Sequence, residues 1–187
     1  MKKAVLNRYE RSDDGIVIID VSASRIEDLY NNFDKSAPYL RRDLDQDLVD
    51  YLIDCAKEIG SLPFVIRFTL TQSPDEGKQS RIKKSVYNFF NYLGIREKQK
   101  LLYKFRRSAI LFVIGLAILF AAVWVNKILG EQRTVVMNVL IQGLTVAAWV
   151  SLWEAIAIFL IEWLPLRKHI SLYQRLAKAS LMFRSLS

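Results

Sequence analysis

The chain has 187 residues, 52% of them hydrophobic, and 27 Lys+Arg against 19 Asp+Glu leave a formal charge of +8. This composition excludes a disordered chain and a large soluble enzyme, and a single cysteine, Cys55, excludes a disulfide-stapled module. The apolar excess sits in two blocks, residues 108–125 and 135–164, which read as membrane spans and leave room before them for one small domain.

Residues 4–9 read as a short strand, and Ser12-Asp13-Asp14-Gly15 as a turn in which Gly15 is free to take positive φ. The β-branched run over residues 16–21 has strand length, and its continuous apolarity predicts burial on both faces. Ser24-Arg25-Ile26-Glu27 has capping-box spacing and predicts a helix over 25–33, with Asn31-Asn32-Phe33-Asp34 and Pro38 marking the loop that follows. Residues 43–59 form the clearest soluble helix: Leu44, Leu48, Tyr51, Leu52, Cys55 and Ile59 share a face, and Gly60 supplies the stop. Cys55 on that face reads as a small core residue. Residues 63–70 alternate, with Phe64, Ile66, Phe68 and Leu70 on one side, as a half-buried strand does. Ser80 caps a further helix carrying Ile82, Val86, Phe89 and Leu93, ended by Gly94.

The fold class expected is thus a small α/β (α+β) cytosolic domain, β-β-α-α-β-α, with helices on a three-stranded sheet, followed by a two-helix transmembrane hairpin. The strands at residues 16 and 63 are joined through helices, which predicts a parallel pair. The domain occupies 1–94, a basic juxtamembrane helix 95–107, the first span 108–125, a short external turn 126–134, the second span with a cytosolic extension 135–164, and a basic cytosolic tail 165–187.

Charge orients this plan. Residues 1–80 are net acidic, with 11 basic and 15 acidic side chains, whereas residues 96–107 hold Arg96, Lys98, Lys100, Lys104, Arg106 and Arg107 against Glu97. Arg167, Lys168, Arg175, Lys178 and Arg184 follow the second span with no acid among them. Basic flanks at both outer ends put both termini in the cytosol and the turn outside. Met1-Lys2-Lys3 is followed by no apolar segment, so no cleaved signal is expected. The basic charges sit where anionic lipid headgroups would lie, so the partners expected are the bilayer and either a second copy or another protein, and not nucleic acid.

The first span covers about 27 Å and the second block about 45 Å at 1.5 Å per residue, so the latter overruns the roughly 30 Å hydrocarbon core. Pairing levels across a connector centred near residue 130 sets Glu154 beside Arg106 and Arg107 at the cytosolic boundary, where an ion pair is expected, and sets Glu162 level with Lys98. The same register brings Gly115 near Gly143, where small residues allow close helix packing. Asn138, Gln142 and Thr145 share one face of the second span and call for helix–helix or oligomer contacts. In the soluble part, Asp43, Asp47, Asp50 and Asp54 recur at helical spacing opposite the apolar face, an acidic stripe suited to a solvated surface or to docking a basic partner. His169 stands alone, and no Walker A, dinucleotide, HExxH or GxSxG motif occurs, so neither a metal, a cofactor nor a catalytic centre is expected.

The segment Trp149-Val150-Ser151-Leu152-Trp153-Glu154-Ala155, continuing through Phe159-Leu160-Ile161-Glu162-Trp163-Leu164-Pro165, resembles a group of uncharacterised bacterial two-span inner-membrane proteins. That group carries W-V-x-x-W-R-P followed by F-L-Y-D-W-W-P and a basic tail. Leu29-Tyr30-Asn31 and Arg42-Asp43-Leu44-Asp45 are similar to the group as well. The resemblance implies a location in the bacterial inner membrane and brings no activity. The chain departs from the pattern where Glu154-Ala155 replaces Arg-Pro. The function expected is a non-enzymatic membrane protein that presents its cytosolic domain as an anchor, scaffold or assembly partner and self-associates. The alternative is a subunit of an oligomeric ion channel or transporter, with Asn138, Gln142 and Glu154 facing a central path.

Overall fold

A computed structural model describes residues 6–34, 38, 41–129 and 134–186. They divide into two compact units, residues 1–96 with 169–187, and residues 97–168.

The first unit is built on a four-stranded sheet of order β1-β2-β3-β4, comprising β1 (Glu10–Arg11), β2 (Val17–Ala23), β3 (Phe64–Leu70) and β4 (Ser180–Ser185). The first pair is antiparallel and the other two parallel. The turn from β1 to β2 is closed by the Gly15 N–H donating to the Ser12 carbonyl at 2.8 Å, with Gly15 at φ 75. Of the strand expected over residues 4–9, residues 4 and 5 lie outside the described residues. Residues 6–9 form a turn, closed by the Tyr9 N–H on the Leu6 carbonyl, and pairing starts only at Glu10.

Three expected helices differ. In place of one over 25–33 there are two 3-10 turns, Ile26–Leu29 and Asn32–Asp34. Asp28 accepts the Arg25 N–H at 2.9 Å, one residue on from the Ser24-based cap, and Asn31 Oδ1 accepts the Phe33 N–H at 3.0 Å. These local side-chain acceptors compete with helical carbonyls and break the run. The next helix, α1 (Gln46–Ile59), begins three residues later than expected, because Asp45 takes the cap and accepts from Asp47 and Leu48 at 3.0 and 3.3 Å. Leu44 is buried ahead of it, bridged to Tyr30, while Tyr51 stays exposed. Gly60 ends α1 at φ 70.

The helix α2 (Glu76–Leu129) runs through Gly94, which was expected to end it. Gly94 is a buried contact point instead, where an added Cβ would lie 3.7 Å from the Tyr173 Cβ. The main correction concerns the C-terminus. The region expected as a basic tail is the helix α4 (Trp163–Lys178) followed by β4, so the sheet has four strands and not three. Parallel register places Val17, Ile19 and Val21 beside Phe64, Ile66 and Phe68, and these beside Leu181 and Phe183, on one face. Val49, Leu52, Ala56 and Ile59 of α1, Ile82, Val86 and Phe90 of α2, and Leu172 and Leu176 of α4 join this core.

Arg175 fastens the returning helix. Its guanidinium donates to the Gly60 carbonyl and, at 2.7 Å, to the Leu62 carbonyl, and lies 5.0 Å from the Phe64 ring centre. It thereby satisfies carbonyls at the end of α1 that the helix leaves unpaired.

The second unit contains the apolar part of α2 and the helix α3 (Val135–Ala157), which passes through a π-helical turn at Ile158–Glu162 into α4. The widened turn precedes Pro165, which has no N–H for the Ile161 carbonyl and whose ring would meet it in a regular helix. Among the described residues, two helices are long and apolar enough to cross a membrane, Glu76–Ile128 and Val135–Lys178. Of the expected external turn, residues 130–133 lie outside the described residues, as does the side chain of Glu162.

Candidate functional site

Within the second unit, residue type and register decide which polar groups meet. Arg107 Nη2 donates to Glu154 Oε1 at 3.3 Å, and both side chains remain more than two-fifths exposed. Arg106 is exposed. One residue further, the buried Ser108 hydroxyl donates to the Ala155 carbonyl at 2.8 Å. Ser108 meets Ala155 and Phe105 meets Phe159, edge-to-face at 5.6 Å, so the two segments run past each other in opposite senses.

Further along, Gly115 is a point of close approach, but not to Gly143. A Cβ at Gly115 would lie 3.0 Å from Leu152 Cγ and 3.2 Å from the Ala148 carbonyl, while one at Gly143 would meet nothing within 4 Å. Asn138 and Gln142 are exposed. Thr145 Oγ1 donates to the Ile141 carbonyl at 2.8 Å and Ser151 Oγ to Ala147 at 3.0 Å, so these hydroxyls are satisfied within their own helix.

Asp47, Asp50 and Asp54 share the exposed side of α1, whereas Asp43 precedes the helix. Asp54 accepts from Lys57 at 2.9 Å and Asp50 from Gln46 at 3.0 Å, so the stripe is partly neutralised by its own helix.

No family model, no curated protein and no solved structure matches the chain.

The first unit holds two polar groupings that the sequence pattern did not single out. On the sheet face opposite the core, Asp20 and Arg67 are register partners and form a bidentate pair, Nε–Oδ1 2.5 Å and Nη2–Oδ2 2.7 Å; Glu10 closes on the same guanidinium. The Arg67 pKa is raised by the hydrogen bonds its guanidinium donates to Asp20 and then to Glu10. Beside β2, a pocket of about 240 Å³ is lined by Tyr9, Glu10, Asp20, Tyr51, Cys55 and Glu58, among others. The Tyr9 hydroxyl donates to Glu58 at 2.7 Å and the Tyr51 hydroxyl to the Asp20 carbonyl at 3.0 Å. Burial foremost, then the neighbouring Cys55, pushes the Tyr51 phenol up to about 12, and burial raises Tyr9 as well. A pocket this small falls below the usual range for small-molecule sites, about 300–1,000 Å³. Among the described residues no group of three or more His, Cys, Asp or Glu side chains is arranged to hold a metal.

Proposed function

We propose that the chain is an integral protein of the bacterial inner membrane. A two-span hairpin anchors an α/β domain in the cytosol, and the domain serves as a non-enzymatic scaffold or assembly partner. The observation that carries this reading is the parallel pairing of β3 with β4, from Val65 opposite Ser180 to Leu70 opposite Ser185. Two segments joined in one sheet lie on the same side of any bilayer. The chain between them therefore crosses an even number of times, and it contains two helices apolar enough to cross. The basic flanks then assign that side to the cytosol.

Self-association is the second half of the reading. Asn138 and Gln142 lie one helical turn apart, exposed, among the exposed apolar side chains of Val135, Val139, Leu140 and Val146. Amides facing hydrocarbon call for partners, and a second copy offers the same pair. The acidic face of Asp47, Asp50 and Asp54 supports a docking role for the domain toward a basic partner.

The test is accessibility in intact cells. In a Cys55→Ser background, Gly130→Cys is expected to react with an impermeant maleimide and Ser187→Cys to react only after lysis. Reaction of Ser187→Cys in intact cells, or release of the chain from membranes by alkaline carbonate, would overturn the proposal. Crosslinking through Asn138→Cys tests the association separately.

A further inference from the structure

We propose that the hairpin holds one anionic phospholipid, with an acyl chain in a groove between α2 and the α3–π–α4 helix and the phosphate at Arg167. The inference rests on the membrane reading above and names a ligand and a site for it.

The groove follows from residue size and spacing. Phe105, Ser108, Ala109 and Phe112 stand at i, i+3, i+4 and i+7 on α2, one continuous stripe. Ala155, Ile156, Phe159 and Leu160 face them across a volume of about 430 Å³. Ala109, Ser108 and Ala155 are too small to fill it, and the π turn from Ile158 shifts Phe159 and Leu160 off the regular helical positions. The Ser108 hydroxyl is spent on the Ala155 carbonyl, so the wall offers water almost nothing to bond. An unbranched hydrocarbon chain suits a long, dry trough of this kind.

One end of the groove is cationic. Phe159 stacks on Trp163 at 6.1 Å, Phe105 meets Trp163 edge-on at 6.5 Å, and the exposed Arg167 guanidinium lies 5.3 Å from the Trp163 ring centre. Aromatic faces hold the guanidinium in place and leave its N–H edge open to an oxyanion. Arg167 follows Leu160 by seven residues, roughly 10 Å along a helix. Among the described side chains, Glu97 is engaged by Lys100 at 2.5 Å, and Glu154, at the other end of the α3 wall, by Arg107 at 3.3 Å; by sequence Glu162 adds one carboxylate beside Trp163. Lys98, Arg106 and Lys168 add to the positive field.

A second copy is a poorer occupant. Two parallel hairpins meet level for level in a bilayer, so each would bring its own Arg106, Arg107 and Arg167 against the other's. A phosphate removes that repulsion and a like-charged helix adds to it.

The test uses the full chain in nanodiscs containing phosphatidylglycerol and phosphatidylcholine, ejected into native mass spectrometry. Wild type should retain one phosphatidylglycerol with a preference of about fivefold over phosphatidylcholine, the worth of one basic residue at an anionic surface. Arg167→Gln should bring the preference near unity, Arg167→Lys should keep most of it, and Ala109→Trp, which fills the groove from an exposed position, should abolish retention of either lipid. Equal retention of both lipids by wild type, retention unchanged in Ala109→Trp, or a lipid-free dimer that Ala109→Trp dissociates would each overturn the proposal while leaving the membrane reading intact. A chain that stays soluble without detergent or bilayer would overturn the membrane reading itself.

Discussion

Ending the chain after Ala179 removes β4 and leaves both candidate spans in place. Leu181 is 9% exposed, and the Phe183 ring stacks on Phe68 at 5.9 Å. Fully burying a Leu or Phe side chain contributes about 1.5–3 kcal/mol, and Phe183 is only partly buried, so the loss from these two is at most about 3–6 kcal/mol. The β3 edge also becomes bare, with Val65, Ile66 and Phe68 behind unpaired backbone groups. Small domains are stable by only about 5–15 kcal/mol, so the shortened domain should sit near or beyond its unfolding midpoint. The assay is limited proteolysis of inside-out vesicles, with hydrogen exchange at the β3 amides as a second probe. The expected result is rapid cleavage within residues 6–96 and loss of β3 protection, with the hairpin fragment still membrane-bound. Phe183→Ala should give an intermediate response. A shortened chain as protease-resistant as the full one would refute the reasoning, because β4 would then contribute no core.

Arg67→Met should lower domain stability by about 1–2 kcal/mol in chemical denaturation, since the guanidinium joins three strands but both carboxylates keep part of their hydration. Arg175→Ala should cost about 1–3 kcal/mol, as it leaves the Gly60 and Leu62 carbonyls without their donors; circular dichroism melts check it. The Tyr51 phenol stays protonated to about pH 12 in the folded domain, whereas an unfolded tyrosine ionises near 10. Its contribution is therefore fully present below pH ~10 and is lost as pH rises toward 12, a decline that Tyr51→Phe should lessen in denaturation midpoints measured against pH. Glu154→Gln should cost at most about 1 kcal/mol in nanodisc melts, because the pair with Arg107 is well exposed, and should leave liposome ion flux at background; wild-type flux altered by the substitution would favour a conducting subunit.

Much of the soluble core was legible because it rests on period. The alternation of Phe64, Ile66 and Phe68, the β-branched run to Val21 and the stop at Gly60 all appear where local pattern sets local structure. The misreadings fall where side-chain acceptors compete with the backbone: Asp28, Asn31 and Asp45 each take an N–H that regular helix spacing would assign elsewhere. Gly94 misled for the opposite reason. A glycine weakens a helix by about 1 kcal/mol without breaking it, and tertiary packing decides the outcome. The strand β4 carried a visible signal in the alternation of Leu181 and Phe183, but its charge drew the eye to headgroups. Its partner lies across both apolar helices, and nothing local announces such pairing. Arg67 and Arg175 were hidden likewise, since one reads as the wet side of a strand and the other as a flanking charge until the sheet and the returning helix bring their acceptors to them.

The long excursion between β3 and β4 raises the question of what holds the sheet closed. Val65 pairs with Ser180, and the whole second unit lies between them in sequence. The hairpin's own contact of Phe105 with Phe159 shortens the free loop to about half that span. Loop-closure cost grows only logarithmically, so a halving contributes about 0.6 kcal/mol. The burial of Leu181 and Phe183 contributes several times as much. Closure of the sheet is therefore decided by the last six-residue strand and the Arg175 clamp, and the pairing of the spans is a minor aid to it. It follows that weakening the hairpin at Gly115 by a larger side chain, against Leu152 and the Ala148 carbonyl, should disturb the spans and leave the protection of β3 nearly unchanged, whereas losing β4 should do the reverse.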